Sequence, residues 1–213
     1  QLYLPLYNGI ERLELGTAEG SSLEPLPART EKPLLFYGTS IMHGACASRP
    51  GMAWPAVVGR ALDREILNFG FSGNGRMETE VGQFLAELDP AVLLVDCLPN
   101  MTPAMVAERT QPLVRQLRAA RPDTPIVLVE DRTFANAWFD ADQLAAHRRR
   151  RQELATAVAA LRADGVKGLT VLAGDDLLGT DGEGSTDGSH PNDLGMTRQA
   201  AKVTAALRPL LGD

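Results

Sequence analysis

The apolar positions of the chain change period near residue 32. Before it, Leu4, Leu6 and Tyr7 and then Ile10, Leu13 and Leu15 flank Asn8-Gly9. An Asn-Gly pair between apolar runs predicts a β-hairpin over residues 2–16. Residues 17–33 mix Gly, Ser, Pro and charge and read as a linker. After it, five short runs recur: Leu34 to Tyr37, Ile66 to Phe69, Ala91 to Val95, Ile126 to Val129 and Leu169 to Leu172. Runs that are apolar throughout, not alternating, suit parallel strands covered on both faces.

The segments between these runs have a helical period. Val106, Leu113, Val114 and Leu117 form one stripe, Leu154, Val158 and Leu161 a second, and Met196, Ala200, Val203, Leu207 and Leu210 a third. Alternation of strand and helix predicts an α/β fold: a three-layer α/β/α, doubly wound, mainly parallel five-stranded sheet with a short N-terminal β-hairpin. The division expected is residues 1–32 for hairpin and linker and 33–213 for the α/β domain. In such sheets ligands bind outside the carboxyl ends of the strands, so the chemistry is sought in five loops.

Composition narrows the classes. Hydrophobic residues at 44% and charged residues at 23% are ordinary for a globular chain. A net charge of −6 disfavours nucleic acid and anionic lipid as partners. No apolar run is long enough for a membrane span, and no basic-then-apolar leader precedes Gln1, so no signal peptide is read. Oligomeric state and compartment are left open. Cys46 and Cys97 are too few for a disulfide scaffold and read as free thiols, although both follow strands on the same side of the sheet.

Four loops carry candidate groups. Gly38-Thr39-Ser40-Ile41-Met42-His43-Gly44 follows the first strand, and Ser40 is either a nucleophile on a tight turn or a cap. Asn68 to Gly75 follows the second; its glycines turn the chain or bring N–H groups to an anion, and their spacing is not the dinucleotide fingerprint. After the third strand Asn100 either satisfies the loop or donates to an oxyanion, and Thr102-Pro103 reads as a helix start. After the fifth, Asp187-Gly188-Ser189-His190-Pro191 precedes the last helix, and Asp187 and His190 are either a cap with an incidental His or an oriented base. Asp175, Asp176, Asp181 and Glu183 do not match a calcium loop, so no metal is expected. Together the loops supply a nucleophile, a base, its orienting carboxylate and donors for an oxyanion, the set that acyl transfer needs.

These residues resemble the SGNH (GDSL-type) hydrolase superfamily over roughly residues 33–211. Gly38-Thr39-Ser40-Ile41 matches the nucleophile block, Asn68 to Gly73 the glycine block, Asn100 the asparagine block, and Asp187 to Pro191 the last. The resemblance implies a flavodoxin-like sheet, a Ser40–His190–Asp187 triad, and an oxyanion hole of the Ser40 and Gly73 N–H groups with the Asn100 amide. Thr39 stands where the family has Asp, and Asp96 to Met101 departs from the usual Gly-x-Asn-Asp. Residues 1 to about 16 would be the remnant of a small N-terminal β domain that one subgroup carries.

The expectation is therefore a cofactor-free serine esterase acting on small-molecule or carbohydrate esters with short acyl groups, acetyl among them. Trp138, Phe139 and Glu130, in the loop after the fourth strand, are the candidate substrate contacts. The alternatives are an acyltransferase with the same triad and a non-catalytic flavin- or phosphate-binding protein. His43 is expected to pack at the rim, and His147 with Arg148 to Arg151 to form a mostly solvated helix face.

Overall fold

In the computed structural model, which describes residues 1–212, the five expected strands form one parallel sheet. They are β1 (Leu34–Gly38), β2 (Ile66–Gly70), β3 (Val92–Asp96), β4 (Ile126–Val129) and β5 (Leu169–Leu172), in the order β2-β1-β3-β4-β5. The central strands β1, β3 and β4 are buried throughout, while the edge strands β2 and β5 are half-exposed. That difference explains why Asn68 is tolerated in β2 and no polar side chain interrupts β1.

Among the described residues six α-helices cover the two faces: α1 (Ser40–His43), α2 (Trp54–Leu62), α3 (Thr79–Glu87), α4 (Pro103–Ala120), α5 (Ala141–Ala163) and α6 (Asp193–Leu207). Successive strand residues point to opposite faces. Leu35, Tyr37, Leu93, Val95, Ile126 and Leu128 therefore pack with Val106, Leu113, Leu117, Leu154 and Leu161 of α4 and α5. Leu34, Phe36, Leu94, Val127 and Val129 pack on the other side with α1, α2 and α6, where Met196, Ala200, Val203 and Leu207 are buried. Leu210 lies just beyond α6 in a short 3-10 turn and packs against the same layer. Thr102 caps α4 by accepting from Met105 N at 3.2 Å, with Pro103 in the first helical position.

Register positions the site. Gly38 at the end of β1 lies opposite both Gly70 of β2 and Asp96 of β3, so three loops leave the sheet at one level. β1 and β3 flank the point where the chain's winding reverses, which opens a crevice at their carboxyl ends.

The N-terminal hairpin does not form. Residues 1–33 contain no strand, and no backbone hydrogen bond joins 2–7 to 10–15 among the described residues. An isolated two-stranded ribbon is marginal in water, and here the first arm finds partners elsewhere. The Tyr7 ring stacks on His43 at 4.2 Å, Tyr3 accepts from Arg60 Nη1 at 2.7 Å, and the Leu6 carbonyl meets the His43 imidazole. Ile10, Leu13 and Leu15 of the other arm remain exposed. The segment is an extended strap on α1 and α2. Asp213, the last residue of the expected α/β domain, lies outside the described residues.

Candidate active site

Ser40 opens α1 one residue after the strand–loop junction. Thr39 is the N-cap, its hydroxyl accepting from Ile41 N at 3.3 Å, and Gly44 ends the turn at φ 106. Thr39 thus satisfies an orphan helical N–H with its hydroxyl. A side chain at Gly38 would meet the Asp96 carbonyl at 2.7 Å, so this junction accepts only glycine without shifting β3. Ser40 is left 8% exposed, enough to present its hydroxyl at the rim.

The loop from β5 to α6 brings the remaining groups across. Thr186 N donates to the His190 carbonyl at 2.9 Å and Asn192 caps α6 through Gly195 N at 3.1 Å, which fixes the turn on both sides. Within it, Asp187 Oδ1 accepts from His190 N at 2.7 Å and Ser189 N at 2.9 Å, while Oδ2 lies 2.7 Å from His190 Nδ1. His190 Nε2 lies 2.9 Å from Ser40 Oγ, across 150 residues of sequence. Partial burial works against the Asp187 charge, but the His190 and Ser189 N–H groups and the imidazole outweigh it and hold the carboxyl down at about 2. An ionised Asp187 fixes the tautomer: Nδ1 carries the proton and donates, leaving the Nε2 lone pair for the Ser40 hydroxyl.

The glycine loop locks onto the same rim. Phe71 N donates to the Gly38 carbonyl at 2.9 Å, and Gly75, at φ 68, passes so close that a side chain there would lie 2.1 Å from that oxygen. Asn100 donates its amide to the Asn74 carbonyl, tying the loop after β3 to the glycine loop. Gly73 sits at φ 72, and among the described residues neither its N–H nor that of Ser40 donates to a protein acceptor. Both remain available as donors, and the Asn100 amide has a second N–H.

The expected substrate contacts are more scattered. Trp138 and Phe139 are 84% and 66% exposed and pack edge to face. Trp138 lines a cavity of about 540 Å³ with Phe134, Leu144, Leu178 and Ser185, beside the loop that carries Asp187 and His190 but including neither Ser40 nor His190. Glu130 accepts from Gly174 N at 3.2 Å and so braces the β4 and β5 loops. His43 is pinned under the strap, as its packing role requires. The carboxylates Asp175, Asp176 and Asp181 pair with Arg151, Lys202 and Arg198.

Two buried networks below the rim were not legible from spacing. Arg132 Nη2 lies 2.5 Å from Asp96 Oδ2, with Gln199 Nε2 of α6 donating to the same oxygen at 3.3 Å. Burial pushes the Asp96 carboxyl up, against the pull of the guanidinium. The second corrects the solvated reading of the arginine run. His147 is fully buried and shares Asp131 Oδ2 with Arg150 Nε, each at 2.5 Å, while Arg151 Nε donates to the Asp131 carbonyl at 2.6 Å. Arg148 and Arg149 alone are exposed. The only signal in the sequence was the charge that closely follows two apolar runs, Ala91 to Val95 and Ile126 to Val129. Cys46 is exposed near Asp187 and His190, and Cys97 is buried; both are free.

With this geometry in place, the profile of the GDSL-like lipase/acylhydrolase family matches residues 31–208. The chain belongs to that family. A candidate GDSL-like lipase from Bacteroides ovatus ATCC 8483 superposes with a TM-score of 0.93 at 38% identity, over 99% of this chain and 62% of that one. The GDSL-like chain described here thus spans about three-fifths of that relative's length. A family two carbohydrate esterase from Clostridium thermocellum (TM-score 0.69, 16% identity, 90% of this chain and 68% of that one) shares the fold. So does an aryl esterase from M. smegmatis (0.62, 20%, 84% and 100%). No curated protein matches the chain in sequence.

Proposed function

We propose that the chain is a serine esterase in which Ser40 is the nucleophile, His190 the general base and Asp187 the group that orients it, carried by residues 33–212. The observation that carries this reading is the relay from Ser40 Oγ through His190, 2.9 Å and 2.7 Å long, closed on an ionised carboxylate. His190 Nε2 takes the hydroxyl proton as Ser40 Oγ attacks the ester carbonyl carbon. Asp187 stabilises the imidazolium that forms. The tetrahedral oxyanion is held by the Ser40 and Gly73 N–H groups and the Asn100 amide. Collapse expels the alcohol, which takes the proton from His190 and leaves an acyl-Ser40 ester. A water activated by the same imidazole then releases the acid and restores the hydroxyl.

The substrate class proposed is a short acyl ester, acetyl groups on carbohydrates included. A 540 Å³ cavity with an exposed Trp138 beside the triad loop gives a sugar ring a flat apolar wall. A series of nitrophenyl esters of increasing acyl length tests the class. Acetyl or propionyl esters are expected to react fastest, and preference for octanoyl or longer chains would overturn it. Product analysis with an added sugar or alcohol acceptor separates hydrolysis from acyl transfer.

A further inference from the structure

We propose that Cys46, Asp187 and His190 form a capture site for a thiophilic divalent cation, zinc or cadmium, that reversibly switches the triad off. This rests on the esterase reading above, since it concerns regulation of the same site. One donor atom from each residue (the thiol sulfur, a carboxylate oxygen and an imidazole nitrogen) lies within 4.8 Å of the other two. Among the described residues no other group of His, Cys, Asp and Glu side chains meets that condition. The cluster opens to solvent, with Cys46 and Asp187 exposed and His190 half-buried.

The position of Cys46 over the triad is built by its flanks. Ala45 N donates to the Ser40 carbonyl at 2.9 Å, and two residues beyond the thiol Ser48 N and Oγ bind Asp193 of α6 at 2.9 and 2.5 Å. The loop is thus tied at one end to the nucleophile's turn and at the other to the helix that follows His190. Cys46 itself sits at φ 66, which directs its side chain from a conformation that non-glycine residues seldom take.

The donor set selects the ion. Sulfur, imidazole nitrogen and one carboxylate oxygen, with water in the fourth position, make a tetrahedral site for zinc, whereas calcium and magnesium take oxygen ligands. Bond lengths of about 2.0–2.3 Å need donors roughly 3.5 Å apart, which small movements of these solvent-facing side chains reach from separations within 4.8 Å. On binding, the Cys46 thiol gives its proton to solvent and ligates as thiolate. Coordination through His190 Nε2 occupies the lone pair that would receive the Ser40 proton; coordination through Nδ1 breaks the bond to Asp187. Either way the base is lost.

The test combines inhibition with a binding signal that does not depend on turnover. Micromolar zinc is expected to suppress ester hydrolysis by the wild-type protein, with full recovery on adding a chelator. Cys46→Ser should retain the metal-free rate and need at least about tenfold more zinc for the same inhibition. Cadmium titration of the wild type should produce an ultraviolet thiolate-to-metal charge-transfer band that Cys46→Ser lacks and His190→Ala weakens. Equal zinc sensitivity in Cys46→Ser, or a cadmium band unchanged in His190→Ala, would overturn the proposal. A protein that shows the band, its absence in Cys46→Ser and its weakening in His190→Ala, yet hydrolyses no ester, would uphold the metal site while the esterase reading fell.

Discussion

Replacing Arg132 with Met should cost the protein a large part of its stability. Asp96 is fully buried and the Arg132 side chain only 1% exposed, at 2.5 Å from each other. Removing the guanidinium leaves the carboxylate with one amide donor, Gln199, and no counter-charge in contact. Breaking a buried pair from one side in this way costs about 3–5 kcal/mol. For a chain of this size, at about 2–4 °C per kcal/mol, the melting temperature should fall by roughly 6–20 °C. The sign with pH follows from Asp96. Burial already holds the folded pKa of Asp96 above the unfolded value of about 3.9, and loss of the guanidinium raises it further, so the penalty grows as pH rises above that value and shrinks towards it. Urea unfolding of Arg132→Met, Asp96→Asn and the double variant closes the cycle. The double variant should be more stable than the sum of the single losses implies, because it leaves no buried charge behind. A loss below about 1 kcal/mol in Arg132→Met, or additivity within about 0.5 kcal/mol, would refute the reasoning.

Other outcomes follow from the site. Asn100→Ala should lower kcat by about 10²–10³ with little change in KM; a loss of only a few-fold would remove the amide from the oxyanion role. Asp187, held at about 2 when folded against about 3.9 unfolded, contributes stability that is present above the unfolded value and lost as pH falls towards the folded one. The gap in melting temperature between the wild type and Asp187→Asn should therefore narrow across that window. A constant gap would show that the carboxylate's charge is not what the loop holds.

The strands and the three helical stripes were legible because burial on both sides of a sheet leaves a periodicity no loop imitates: Leu34 to Tyr37 and Met196 to Leu207 lie in the core as the pattern predicts. Ser40, Asp187 and His190 stood out for a different reason, the short Asp187–His190 spacing before a helix and the glycine-bounded Ser40 turn, and their side chains lie in hydrogen-bonding contact. Tertiary competition was not legible. Asn8-Gly9 is a sound local hairpin signal, yet Tyr7 and Leu6 contact His43 and no second arm pairs with them among the described residues. The arginine run likewise looks uniform in sequence. Only the fold reveals that Asp131 emerges from β4 beneath Arg150 and Arg151 and draws them inward. Cys46 carried no local signal, since its neighbours in space lie some 140 residues further along the chain.

Labelling with a fluorophosphonate, followed by mass spectrometry of the digested protein, tests the central claim most directly. One adduct is expected, on Ser40, abolished in Ser40→Ala and strongly slowed in His190→Ala. An adduct on another residue, or a labelling rate unchanged by removal of the imidazole, would contradict it.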